Sequence, residues 1–188
     1  MTAKDILSRL KDGNARFTKD KLDGKLQNSS RRSALTGGQN PYAIILSCAD
    51  SRVVPELAFD TGLGELFVLR VAGNVANTST IASIEYAVAH IGSPVLVVLG
   101  HESCGAVTAA VGGGDNGYNL NHLLSHITPA IAASNKNASV NTVVKKNAEM
   151  TVEELKARSS IIGDAVKNNK LQIVPAYYNL GSGKVEFL

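Results

Sequence analysis

Apolar runs alternate with longer stretches in which apolar residues recur every three or four positions. Continuous runs rich in Val, Ile and Leu predict strands at Ala43–Ser47, Leu66–Val71 and Val95–Leu99, with a fourth at Gln172–Ala176. The first three lack the in-and-out alternation of a half-exposed sheet, so each is expected to be covered on both faces, as in a parallel sheet. Pro41 and Pro94 mark two of the strand entries. Between the second and third runs, Ile81, Ile84, Glu85 and Val88 fall at helical spacing, predicting a crossover helix over Thr78–His90 capped by Asn77 or Thr78. Ile6, Leu10 and Phe17 place an N-terminal helix over Asp5–Phe17. Val144, Ala148, Val152, Leu155, Ile162 and Val166 outline one long amphipathic helix that stops at Asn168-Asn169. The segment from Tyr177 to Val185, with Gly181 and Gly183, reads as a turn between two short strands.

This order predicts an α/β fold: a single domain over residues 1–188 with a mainly parallel central sheet flanked by helices, an antiparallel C-terminal edge, and residues 1–35 as an N-terminal helical arm. A chain of 188 residues, 44% apolar and 19% charged, is long enough to bury one ordinary core. The net charge of +3 is scattered, with Arg31-Arg32 and Lys145-Lys146 the only adjacent basic pairs, and aromatics make up 5%. That distribution speaks against nucleic-acid binding, which favours a basic stripe with stacking residues. No segment approaches the ~20 apolar residues of a membrane span, and residues 1–11 have no apolar core of a secretory signal. A cytoplasmic, reducing setting is the expectation, one that keeps both cysteines reduced.

Those two cysteines are the chain's only thiols, and each follows a strand run. Cys48 opens Cys48-Ala49-Asp50-Ser51-Arg52, and Cys104 lies in His101-Glu102-Ser103-Cys104-Gly105. Ligand sites in open α/β sheets collect beyond the carboxyl ends of strands, so the two motifs can meet. Two thiolates and an imidazole form a soft three-ligand set suited to zinc, with a fourth position open. A zinc-binding scaffold closed by Asp50 and a thiol redox protein are the competing readings. His122 and His126 also lie four apart on a helix, but no third ligand is evident beside them, so a solvated face or a hydrogen-bonded histidine is expected there. Gly112-Gly113-Gly114-Asp115 lacks the Lys-Ser/Thr of a phosphate loop and reads as a connection.

The sequence resembles the β-class carbonic anhydrases. The likeness runs from Gly13-Asn14-Ala15-Arg16-Phe17 through Cys-Ala-Asp-Ser-Arg, Arg70-Val71-Ala72-Gly73-Asn74 and Gly100-His101-Glu102-Ser103-Cys104-Gly105 to Ala176-Tyr177-Tyr178. It implies one Zn2+ per chain held by Cys48, His101 and Cys104, and hydration of carbon dioxide to bicarbonate and a proton by a zinc-bound hydroxide. Asp50 and Arg52 would form the catalytic dyad, with Arg52 keeping Asp50 ionised and off the metal. The resemblance places Gln39, Phe67, Ala72, Tyr86 and Gly105 around the substrate slot, Gln39 as the amide donor and Phe67 with Ala72 as an apolar wall. The family's second form uses a tryptophan to hold a non-catalytic bicarbonate, and this chain has none, so the constitutively open form is expected. Some wall residues would cross a subunit interface, implying a homodimer or a higher even-numbered homo-oligomer. Relatives that hydrolyse carbon disulfide or carbonyl sulfide use the same metal set.

Overall fold

The computed structural model describes residues 1–188. Five strands form one sheet: β1 (Ala43–Ser47), β2 (Leu66–Arg70), β3 (Val95–His101), β4 (Gln172–Tyr178) and β5 (Val185–Phe187), in the order β2-β1-β3-β4-β5. All pairings are parallel except β4 with β5. The helices are α1 (Ala3–Phe17), α2 (Ser29–Ala34), α3 (Pro55–Ala58), α4 (Thr78–Tyr86), α5 (Gly105–Gly112), α6 (Tyr118–Ser125), α7 (Thr128–Ala132), α8 (Val140–Arg158) and α9 (Ser160–Lys167). None is long and apolar enough to cross a membrane.

Alternation along the strands explains the two-sided core. Ile44, Leu46, Leu96 and Val98 point to one face, where Ile84 of α4, Ala148, Val152 and Leu155 of α8, and Ile162 of α9 cover them. Ala43, Ile45, Val95, Val97 and Leu99 point to the other, packed with Ile6 and Leu10 of α1 and with Phe59. Burial on both faces is why these strands read as unbroken apolar runs. The N-terminal helix is clasped to the body by Asn14, whose amide donates to the carbonyls of Ala58 and Gly183 and accepts from the Val185 N–H.

Two predicted helices differ in detail. The long C-terminal helix is two helices. Ser159 adopts an extended conformation, caps α9 by accepting from the Ile162 N–H, and donates its hydroxyl to Glu85 Oε1. A buried serine whose hydroxyl joins the backbone of the next helix to the Glu85 side chain stops one helix and starts the next, although the apolar spacing continues across the break. The crossover helix starts as expected, with the Asn77 side chain accepting from the Thr80 N–H. Its last turn widens into a π-turn at Ala87–Ile91 that closes on Gly92 in the left-handed region, φ 78°.

Candidate metal centre

The two motifs meet beyond the carboxyl ends of adjacent strands. Cys48 follows β1, His101 is the last residue of β3, and Cys104 precedes α5. Strand β3 runs two residues past its predicted end because Gly100 and His101 continue the ladder opposite Tyr177 and Tyr178. The chain then turns through Ser103 at φ 52° to bring Cys104 round. Three long-range bonds hold that turn: Glu102 N–H to Tyr178 O, Ser103 N–H to the Asn141 amide oxygen, and Leu180 N–H to the Glu102 carboxylate.

The two sulfurs lie 4.0 Å apart, and the three ligand atoms all fall within 4.8 Å of one another. Tetrahedral Zn–S bonds of ~2.3 Å would hold two sulfurs about 3.8 Å apart. His101 is fully buried, and its Nδ1 lies 2.9 Å from the Glu102 carbonyl. Carbonyl oxygen cannot donate, so Nδ1 carries the hydrogen and Nε2 presents a lone pair. That Nε2 is buried without a hydrogen-bond partner, a costly arrangement for a structural histidine and the one expected of a ligand. The residues therefore fit a zinc ion.

Hydrogen bonding polarises the thiol pair. Cys48 is drawn down to about 4, chiefly by the bond from the Cys104 thiol, with burial opposing and His101 and the Gly73 N–H assisting. Cys104 is pushed up by the same shared contact and by burial. For His101 burial is the largest single effect and acts downward, but Cys48, the Glu102 backbone and Asp50 together outweigh it and raise the imidazole. A divalent ion reverses this sharing, because ligands bind as thiolates and neutral imidazole.

Asp50 faces the same space, its Oδ2 3.8 Å from His101 Nε2. Arg52 grips it in a fork, Nε to Oδ1 at 2.9 Å and Nη2 to Oδ2 at 2.7 Å, and the Arg52 N–H adds a third bond. These contacts hold the carboxyl well below the usual carboxylate range, against the opposing effect of burial.

Three further residues shape the site: Asn147, outside every motif, and Arg70 and Gly73, which lie in the Arg70–Asn74 motif but have no role assigned from sequence. Arg70, at the end of β2, donates Nε to Cys48 O at 3.0 Å and Nη2 to Asp50 O at 2.6 Å, tying down both carbonyls of the ligand loop. Gly73, at φ 73°, gives its N–H to Cys48 Sγ at 3.4 Å. The buried Asn147 of α8 donates to Gly73 O at 2.9 Å. A polar residue between Val143 and Val144 on one side and Ala148 and Thr151 on the other, on a face that is otherwise buried, was the sequence signal for Asn147.

Of the expected slot residues, Ala72 and Gly105 adjoin the centre, next to Gly73 and Cys104 respectively. The others stand apart from it within one chain. Phe67 pairs with Ile44, four positions before Cys48, or about 13 Å back at ~3.3 Å per residue. Its ring packs at a tilt against Tyr86, centroids 6.3 Å apart, and Tyr86, half exposed, lies against His90 at 5.2 Å. Gln39 is exposed ahead of β1, at the opposite end of that strand from Cys48. His122 is exposed on α6, while His126 is mostly buried, lowered by that burial, with Glu154 Oε1 4.0 Å away.

The carbonic anhydrase family model matches residues 43–185, a span that holds all three ligands. A carbonic anhydrase 2 of Mycobacterium tuberculosis is 38% identical over 182 residues, covering 93% of this chain and 87% of the relative. The Mycolicibacterium smegmatis carbonic anhydrase is 39% identical, covering 94% and 89%. The β-carbonic anhydrase of Coccomyxa, solved with acetazolamide, superposes at TM-score 0.78 with 27% identity over 97% of this chain and 86% of that one. The chain belongs to the β-class carbonic anhydrases. A tetrameric β-carbonic anhydrase of Sordaria macrospora, 25% identical, superposes at TM-score 0.77 over 86% of this chain and 87% of that one. In this β-class carbonic anhydrase the parallel sheet and its antiparallel edge are those of its structural relatives.

Proposed function

We propose that this carbonic anhydrase hydrates carbon dioxide reversibly to bicarbonate and a proton, with one zinc ion held by Cys48, His101 and Cys104. The observation that carries the reading is the Asp50 carboxylate, forked by Arg52 and 3.8 Å from the unpartnered His101 Nε2. Zinc, when bound, acts as a Lewis acid that makes water nucleophilic near neutral pH. Asp50 Oδ2 accepts a hydrogen from that nucleophile and orients its lone pair. Arg52 keeps the carboxylate ionised and engaged, which disfavours Asp50 closing the fourth position as it would in a structural site.

Ala72 and Gly105 border the slot from the same chain. Gln39, Phe67 and Tyr86 are assigned to the slot of a second copy, a role supported by the exposure of Gln39 and Tyr86 and by the separation of Phe67 from Cys48 in one chain. A dimer or an even-numbered assembly of dimers follows from that assignment, in keeping with the tetrameric Sordaria relatives.

Stopped-flow measurement of carbon dioxide hydration on protein of known zinc content tests the reading. Zinc-loaded protein is expected to be active, and Asp50→Asn to keep its zinc while losing about 10²-fold or more in rate. A zinc-loaded chain without hydration activity refutes it.

A further inference from the structure

We infer that Asn147 is a positioning residue that sets the donor strength of the Cys48 sulfur, acting through Gly73. This deepens the proposed function and rests on zinc binding at Cys48. Gly73 links helix α8 to the sulfur through its backbone. Its N–H meets Cys48 Sγ at 3.4 Å, and its carbonyl accepts from Asn147 Nδ2 at 2.9 Å. The turn has little freedom of its own. Gly73 and Asn74 both lie in the left-handed region, at φ 73° and 44°. A Cβ on Gly73 would stand 2.9 Å from Ile127 Cδ1 and 3.4 Å from Ala106 Cβ. The turn is thus pressed from one side by α5 and Ile127 and held from the other by the Asn147 amide.

An N–H aimed at a thiolate draws charge from it, so the sulfur gives less electron density to the metal, which stays a stronger Lewis acid. The Asn147 amide bonds to Gly73 O rather than to a ligand atom; it fixes the direction of the N–H that meets the Cys48 sulfur. It is 2% exposed, with Val143, Val144 and Ala148 around it on the buried face of α8. An amide there without such a task would be a poor choice beside apolar neighbours.

The test reads the sulfur rather than turnover. Asn147→Ala is loaded with zinc or with cobalt(II) as a spectroscopic probe. Zinc affinity is measured by chelator competition, and the sulfur-to-cobalt charge-transfer band by absorption. Loss of the amide is expected to move the band to longer wavelength, because the Cys48 sulfur, no longer facing a fixed N–H, becomes a stronger donor, and to weaken zinc binding about tenfold, because the turn that holds Cys48 in position loosens. Asn147→Gln, which restores an amide donor, is expected to recover part of both. Asn14→Ala supplies the comparison for stability alone, since Asn14 is an equally buried clasp between α1 and the C-terminal hairpin; it should lower the melting temperature and leave affinity and band unchanged. If Asn147→Ala does not fold, Asn147→Ser gives the same readings. A folded variant lacking the amide, with wild-type zinc affinity within twofold and an unmoved band, overturns the inference and leaves the proposed activity standing. Failure of the wild-type chain to bind zinc at Cys48 would instead overturn the proposed function.

Discussion

Gly100 is the residue that lets the central strand deliver His101. It is buried in β3 under α8, and a Cβ there would stand 2.9 Å from Val144 Cγ1 and 3.4 Å from the Val144 carbonyl oxygen. Carbon atoms in contact prefer about 3.5–4.0 Å, so Gly100→Ala forces α8 or the end of β3 to move by more than half an ångström. Overpacking of this kind costs about 1–3 kcal/mol, or roughly 2–12 °C in melting temperature at 2–4 °C per kcal/mol for a chain of this size. Val144 is 1% exposed, so Val144→Ala alone removes two buried methyl groups and costs about 2 kcal/mol. In the double variant the new methyl enters space that Val144 has vacated. The two changes should then destabilise by at least ~1 kcal/mol less than the sum of the singles. Urea unfolding of the four proteins measures this coupling, and zinc content after dialysis follows it, falling in Gly100→Ala and partly recovering in the double variant. Additivity within about 0.5 kcal/mol would show that α8 does not limit the end of β3.

Arg70→Met removes the two bonds to the Cys48 and Asp50 carbonyls from an exposed side chain. Steady-state hydration should fall about tenfold with a melting temperature within ~2 °C of wild type, and a change in stability without one in rate would refute the role. Metal removal by a chelator should lower the melting temperature reversibly. Binding at 1,000 times Kd is worth ~4 kcal/mol, or about 8–16 °C, and calorimetry with zinc added back checks it. Burial pushes the Tyr42 phenol up to about 12, and its hydroxyl has no partner. The folded state holds this proton more tightly than the unfolded one, so the Tyr42 contribution is intact below pH 10 and is lost as pH rises to about 12. Tyr42→Phe should flatten that alkaline fall, and urea titrations between pH 9 and 12 that superpose on wild type would exclude it.

The elements that read most clearly from sequence are those whose environment is uniform. β1 occupies its expected span, Ala43–Ser47, because every residue in it is buried. The end of β3 was hidden because Gly100 and His101 have no strand character of their own and are extended by pairing with β4. Ser159 broke the long helix through a contact with Glu85 on another element, which periodicity cannot register. The same division holds at the metal centre. Cys48, Asp50, Arg52, His101 and Cys104 declare themselves because their chemistry lies in side chains at short spacing. Arg70 and Asn147 act on backbone carbonyls, Asn147 across 74 positions of sequence, and only the folded chain shows what they hold.

The division of the ligands between neighbouring strands has a consequence for how the protein is made. Cys48 and Cys104 are 56 positions apart, and β1 finds its second neighbour only when β3 has been synthesised. A nascent chain that ends before residue 104 offers an ion one sulfur, or a sulfur and an imidazole, with no α5 behind them. Uptake by the full ligand set would therefore follow translation of β1, β2 and β3. A metal ion bound there would staple shut the segment that carries both crossovers between β1 and β3, so a molecule carrying metal would already have brought those two strands side by side.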